Sequence, residues 1–230
     1  MRILSTAASW VFILCLPVLL LTASIGCAVN SSWLYRYGFD KYDVGTVTGL
    51  TDGELEKVAR ELIGYFNSGE EYINLTVTKN GGLFNEKEIS HLKDVKKLIR
   101  LDYWVLIGTL VYALGYTGVC LFWHKRRHWR RLAWGVAGGG GITLVVILAL
   151  WLAMLLDFDW LFLKFHLISF SNDFWQLDPT RDYLIMLFPQ GFWYDATLFC
   201  ALGTVVAAAV LGGAAGGYLI FTRKTLHFRQ

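Results

Sequence analysis

Residues 132–156 read LAWGVAGGGGITLVVILALWLAMLL, twenty-five residues without a charge. The hydrocarbon layer of a bilayer is about 30 Å thick, and about 20 helical residues cross it. No polar face recurs along the run, so neither a surface helix nor a half-buried strand explains it. Inside lipid its backbone groups must bond within the segment, which makes it helical. Three more uncharged runs flank it, at 7–29, 103–123 and 196–221. Charged residues make up 17% of the chain, against about 25% in ordinary globular proteins. The expectation is an all-α polytopic membrane protein. It forms a single membrane domain, a four-transmembrane-helix bundle with spans near 7–29, 103–123, 132–156 and 196–221. The loops 30–102 and 157–195 lie between spans on one side, the first folding as a small helical cap and the second as an interfacial aromatic loop.

Charge sets the orientation. Residues 124–131 carry five Lys/Arg, and Arg2, Arg223, Lys224 and Arg229 bring that side to nine, with no acid. All 18 acidic residues fall in the loops 30–102 and 157–195. A Lys/Arg excess marks the cytoplasmic face, so both termini are expected in the cytoplasm and both long loops outside. The first run, 23 residues long, exceeds the 7–15 or so of a signal-peptide core and reads as a retained anchor. Cys15, Cys27, Cys120 and Cys200 all lie in apolar runs, which leaves no external pair for a disulfide or thiolate metal site. The net charge of +3 hides this segregation and does not point to nucleic acid.

The first external loop carries its own helical signals. Thr51-Asp-Gly-Glu54 fits a capping box, opening a stretch with Leu55, Val58, Ala59, Leu62 and Ile63 on one face. Residues 72–78 alternate briefly before a turn at Asn80-Gly-Gly82. A second helix is expected over 85–100, with Ile89, Leu92, Val95 and Ile99 on one side and Lys93, Lys96, Lys97 and Arg100 on the other. The second loop is crowded with Phe158, Trp160, Leu161, Phe162, Phe165, Leu167, Ile168 and Phe170, and Trp-rich stretches of this kind favour the headgroup level. Gly138–Gly141, Gly212-x-x-x-Gly216 and Gly213-x-x-x-Gly217 permit close helix approach. They are read as packing within one chain, and a monomer is expected.

Common catalytic signatures are missing: no Gly-x-x-x-x-Gly-Lys loop, no Gly-x-Ser-x-Gly elbow, no His-Glu-x-x-His helix. A His-x-x-x-x-Asp acyltransferase pattern is absent too, since Lys96 and Ser171 stand five residues beyond the two external histidines. Those histidines, His91 and His166, are the candidates for chemistry. Asp94 stands three residues after His91, beside it on a helix, where a carboxylate orients an imidazole. Asn172, Asp173, Trp175, Asp178 and Arg181 follow His166 as candidates for binding substrate or shaping the loop. No diagnostic metal-ligand spacing occurs, although a site built from both histidines and nearby carboxylates stays open at this point.

Three motifs carry a resemblance. They are His91-Leu-Lys-Asp94-Val-Lys96, then Phe170-Ser-Asn172-Asp173-Phe-Trp175-Gln-Leu-Asp178-Pro179, then Asp182-x-Leu-Ile-x-Leu-Phe188-Pro189-x-x-Phe192. Together with the four spans they resemble the Lit-type lipoprotein intramolecular transacylases of Gram-positive bacteria, over nearly the whole chain. The resemblance implies an enzyme of the cell membrane that acts on a diacylglyceryl-modified lipoprotein. It moves the sn-2 acyl chain to the α-amino group of the N-terminal cysteine, giving the lyso form. Ester and amine sit on one substrate, so no cofactor, nucleotide or nucleic acid is required, and membrane lipids are the other partners. On that implication His91, supported by Asp94, is the base on the amine and His166 the acid or oxyanion donor. The reversed roles and a transient acyl-imidazole remain alternatives. A non-catalytic membrane scaffold and a metal-dependent membrane hydrolase are the rival readings.

Height along the chain adds one expectation. In a straight helix His91 stands about 18 Å beyond Tyr103, far from an ester at the interface. A bend at 100–102 is therefore expected, with the lysines of 85–100 turned to headgroups.

Overall fold

The computed structural model describes residues 2–78, 81–122 and 126–227. Its elements are α1 (Arg2–Val29), α2 (Ser32–Lys41), α3 (Val44–Thr48), α4 (Asp52–Asn67), β1 (Thr76–Thr78), β2 (Gly81–Gly82), α5 (Glu86–Phe122), α6 (Arg126–Ser169), α7 (Tyr183–Leu187) and α8 (Gln190–His227). The fold is all-α, with a two-stranded antiparallel ladder as the one departure among the described residues. Among those residues four helices are long and apolar enough to cross a membrane, and they lie in α1, α5, α6 and α8. Each expected span falls in one of them. The expected turn at Asn80 and the basic residue Lys125 lie outside the described residues, as does Arg229.

Contacts divide the chain into two compact units. The first comprises Met1–Ile25, Tyr103–Leu152 and Cys200–Gln230. Small residues let its helices meet. A Cβ on Gly139 would stand 2.8 Å from Leu16 Cβ, and one on Gly135 2.9 Å from the Phe12 ring, so α1 lies directly on α6. On the other side a Cβ on Gly140 would lie 3.2 Å from the Ala208 carbonyl of α8 and 3.5 Å from Gly212 Cα. Polar side chains add links: Tyr112 donates to the Ala8 carbonyl at 2.8 Å, and the Ser9 and Tyr116 hydroxyls are 2.9 Å apart. In lipid such bonds and close packing replace the hydrophobic drive. Close approach is therefore made at Gly135, Gly139 and Gly140, the last against the backbone of Gly212, whereas a Cβ on Gly212, Gly213, Gly216 or Gly217 would meet nothing within 4 Å.

The second unit comprises Gly26–Asp102 and Ala153–Phe199. Thr51 accepts from the Glu54 N–H while the Glu54 carboxylate accepts from the Thr51 N–H, so α4 opens on the expected capping box. Leu55, Val58, Ala59 and Leu62 are buried along its inner face. The helix α2 has no counterpart among the expectations. Ser31 caps its start, and Gly38 leaves room for the Phe192 ring, whose nearest carbon would be 2.3 Å from a Cβ there.

Two expectations about helix ends are corrected. No bend occurs as a break at 100–102: α5 is one helix of 37 residues from Glu86 to Phe122. No Pro or Gly stands between positions 85 and 107, so nothing interrupts the i→i−4 ladder. The basic side of this helix also does a different job. Lys96 is buried and donates to Ser68 Oγ (3.1 Å) and the Glu70 carbonyl (2.7 Å), with its ammonium over the Tyr65 ring. Arg100 donates to the Ser68 carbonyl at 2.7 Å, and Lys93 pairs with Glu71. These cations clamp residues 68–71 instead of standing free for headgroups.

The aromatic stretch after the third span is helical. α6 breaks only at Asp157 (φ −163°, ψ 90°) and resumes to Ser169. Asp157 has the extended backbone of an N-cap, and its carboxylate accepts from the Trp160 N–H at 2.8 Å. The apolar run 158–169 thereby becomes a second helical segment with a defined start.

Candidate active site

Three pieces of the second unit converge on the two histidines. α5 supplies His91 from its second turn, the segment 158–169 supplies His166 near its end, and the chain 170–182 packs against both. The ring centroids of His91 and His166 are 6.2 Å apart, although the residues are 75 positions apart in sequence. Both side chains are buried. Phe170 sits against each of them, 4.9 Å from His91 and 5.6 Å from His166 between ring centroids.

The two imidazoles differ in their bonding. His166 Nδ1 is 2.8 Å from the Phe162 carbonyl oxygen. A carbonyl only accepts, so the proton resides on Nδ1, and the neutral ring offers its lone pair at Nε2. The local cause is helical spacing, since Phe162 lies one turn before His166. His91 Nδ1 is buried and has no hydrogen-bond partner. Leaving such an atom unpaired costs about 1–3 kcal/mol, a cost that a bound ligand relieves.

Asp94 does not bond to His91. One carboxylate oxygen accepts from Lys97 Nζ and the other from Asn172 Nδ2, each at 2.8 Å. The carboxylate expected to orient the imidazole instead tethers the chain 170–182 to α5. Of the remaining sequence candidates, Trp175 is at the site, its ring centroid 5.0 Å from that of His166. Asp173, Asp178 and Arg181 bond within their own turn. Asp173 accepts from Gln176, and Asp178 accepts from Thr180 and pairs with the exposed Arg181. The Thr180 N–H and hydroxyl hold the Asp178 carboxyl below its usual range. These three build the turn that returns the chain.

Asp182 opens the third sequence motif and belongs to the carboxylates weighed with the histidines, whereas Glu88 stood outside the sequence candidates; both are buried. Glu88 accepts from the Leu184 N–H (2.6 Å) and the Asn85 N–H (2.8 Å). Asp182 accepts from Asn85 Nδ2 (2.9 Å) and the Asp178 N–H (2.7 Å). They staple the start of α7 to the start of α5, one turn before His91. The only sequence signal for Glu88 was the Asn85-x-x-Glu88 spacing, which resembles a capping box.

Four apolar helices of membrane-spanning length, together with a buried pair of imidazoles, define the class: a polytopic membrane protein with a candidate acid–base site. The chain belongs to the lipoprotein intramolecular transacylase Lit family, an acyltransferase family, whose pattern matches residues 10–193. The fold agrees. The structure of Lit from Bacillus cereus superposes with a TM-score of 0.79 at 19% identity, covering 98% of this chain and 100% of that one. Variants of the same protein, with a histidine replaced by arginine or alanine, give TM-scores of 0.76 and 0.77. An uncharacterized protein of Aquifex aeolicus is 29% identical over 138 residues, 59% of this chain. The chain spans 58% of the length of that relative.

Proposed function

We propose that this protein transfers an acyl chain within a diacylglyceryl-modified lipoprotein, from the sn-2 oxygen of glycerol to the α-amino group of the N-terminal cysteine. The observation that carries the reading is the His91–His166 pair, one ring with a fixed tautomer and the other with an unpaired buried nitrogen. His166 Nε2 accepts a proton from the amine as its nitrogen attacks the ester carbonyl. As the C–O bond to glycerol breaks, the proton taken up by His166 passes to His91, and His91 delivers a proton to the glycerol oxygen, which leaves both rings neutral. This reverses the roles expected from sequence, because the Phe162 carbonyl fixes which nitrogen of His166 is free. Both reacting groups are on one molecule, so much of the acceleration comes from effective molarity.

The unbroken α5 does not supply the bend expected to lower His91 toward the interface, and this counts against the sequence-based placement of that residue. Leu163, Phe165, Leu167 and Ile168 are exposed along the segment that carries His166. Contiguous exposed apolar side chains mark lipid contact. An acyl chain can therefore lie along the segment that carries His166. The site faces the extracytoplasmic leaflet, the termini are cytoplasmic and the working form is a monomer. A metal-dependent hydrolase needs a donor set, and among the described residues no three His, Cys, Asp or Glu side chains come together to hold an ion.

The test is mass spectrometry of a lipoprotein N-terminus from cells with and without this protein. N-acyl lyso product is expected only with it. His91→Ala and His166→Ala variants each accumulate in the membrane and lose conversion by at least about a hundredfold, the scale of general acid–base catalysis. Activity of the purified protein persists in a strong chelator. Unchanged lipoprotein, or near-normal conversion by both single variants, rules the proposal out.

A further inference from the structure

A histidine that accepts a proton during turnover becomes a cation, and enzymes ordinarily set a carboxylate beside it. Here none is bonded to either ring. Asp94 is committed to Lys97 and Asn172, and His166 Nδ1 meets only a neutral carbonyl. What surrounds His166 is aromatic. The Phe162 ring centroid is 4.3 Å away, Trp175 5.0 Å, Phe165 5.4 Å and Phe170 5.6 Å. Trp175 is tilted 38° to the imidazole and Phe170 42°, both closer to parallel than Phe162 at 56° or Phe165 at 90°, and Trp175 is the nearer of the two. An aromatic face carries negative quadrupole charge, and tryptophan has the strongest of the common rings for a cation within about 6 Å.

We infer that Trp175 is a positioning residue that stabilises the His166 imidazolium through its ring face, taking the part that a carboxylate plays in other acid–base pairs. The inference rests on the transacylase reading above, in which His166 receives the amine proton. The arrangement has a chemical logic. A carboxylate bonded to the imidazole would be an ionic group in a site built for acyl chains, and burying one costs several kcal/mol or more. A ring stabilises the cation only when it forms and stays compatible with lipid when it has gone. The tether explains how the ring is kept in place. Asn172 accepts from the Phe174 N–H (3.1 Å) while donating to Asp94, so the turn that presents Trp175 is anchored to α5, which carries His91.

The experiment separates ring electronics from ring shape. Fluorinated tryptophans with one to three fluorines are placed at position 175 alone, alongside Trp175→Phe and Trp175→Leu. The purified protein in micelles is assayed with a synthetic diacylglyceryl lipopeptide. Fluorination keeps the shape and drains the ring face, so kcat is expected to fall stepwise while KM stays within about twofold. The total loss is about two- to thirtyfold, the range of a desolvated cation–π contact. The midpoint of the His166 imidazole, read by NMR with labelled histidine, moves to lower pH in the same order. A flat kcat across the fluorinated series, with loss only in Trp175→Leu, overturns the inference by showing that Trp175 merely fills space. A change in KM at constant kcat also overturns it, since the ring then touches substrate. If the wild type makes no lyso product, the functional reading fails, and the NMR midpoints still decide whether the ring stabilises the charged imidazole.

Discussion

Asp94 illustrates how far a residue's neighbourhood in sequence predicts its partner. Helical spacing places its carboxylate beside His91, and the spacing is right. Yet Lys97, three residues on, and Asn172, 78 residues away, take both oxygens. Only the second of these partners depends on tertiary structure, and no local pattern reveals it. The pairing predicts a coupling that a His91–Asp94 bond does not. Asp94→Ala and Asn172→Ala are each expected to lower acyl transfer by about tenfold, the scale of one lost charge-assisted hydrogen bond. The double variant is expected to be no worse than either single one, because both remove the same tether. Measured rates that multiply instead would show that the two residues act separately. The two histidines stood out in sequence because the loops 30–102 and 157–195 hold only two, and the structure brings their rings together. Their roles were not legible, because the tautomer of His166 depends on a carbonyl oxygen that side-chain identity does not describe.

At the scale of elements, apolar runs announced where helices cross the bilayer but not where they end. The long helices α5, α6 and α8 run for 37, 44 and 38 residues, well beyond the roughly 20 that hydrocarbon requires. Nothing in the polar residues before Tyr103 is a helix breaker, so the ladder simply continues. The opposite holds at Asp157. There a single residue ends one helical segment and caps the next, while the apolar pattern runs through it undisturbed. Charge at that point read as the end of a span and the start of a loop. The cap predicts a graded outcome. Asp157→Ala removes an acceptor worth about 1 kcal/mol and loosens the segment that carries His166, so activity is expected to fall severalfold. Asp157→Asn keeps the acceptor and is expected to retain most of it. Equal losses in the two variants would mean that charge, not capping, is what position 157 supplies. The box at the start of α4 was legible in full because both of its partners are local. Its Thr51 N–H and hydroxyl hold the Glu54 carboxyl below its ordinary value. That support is present above the ordinary carboxyl range and is lost as pH falls through the lowered value. Thermal unfolding of wild type and Glu54→Gln is therefore expected to converge in acid and to separate near neutral pH.

For the whole molecule the decisive quantity is the segregation of charge. Nine Lys/Arg and no acid fall on one side of the four spans, and all 18 acids on the other. Under the proposed topology an even number of crossings puts the termini together, with His91 and His166 on the opposite side. The new amine of a processed lipoprotein appears at the outer leaflet, so the proposed chemistry requires that side to be external. A reporter that is active only outside the cytoplasm, fused after Gln230, is expected to be silent. The same reporter inserted after Gly69, an exposed position at the end of α4, is expected to be active. Neutralising the basic group is the sharper form of the test. Replacing Arg126, Arg127, Arg130 and Arg131 by Gln removes four of the nine charges on which the proposed orientation rests. A fraction of molecules is then expected to invert, with lyso-lipoprotein falling in proportion to the inverted fraction. Activity that stays constant while the reporters show inversion would detach the chemistry from the outer face, and the transacylase reading would then lose its access to substrate.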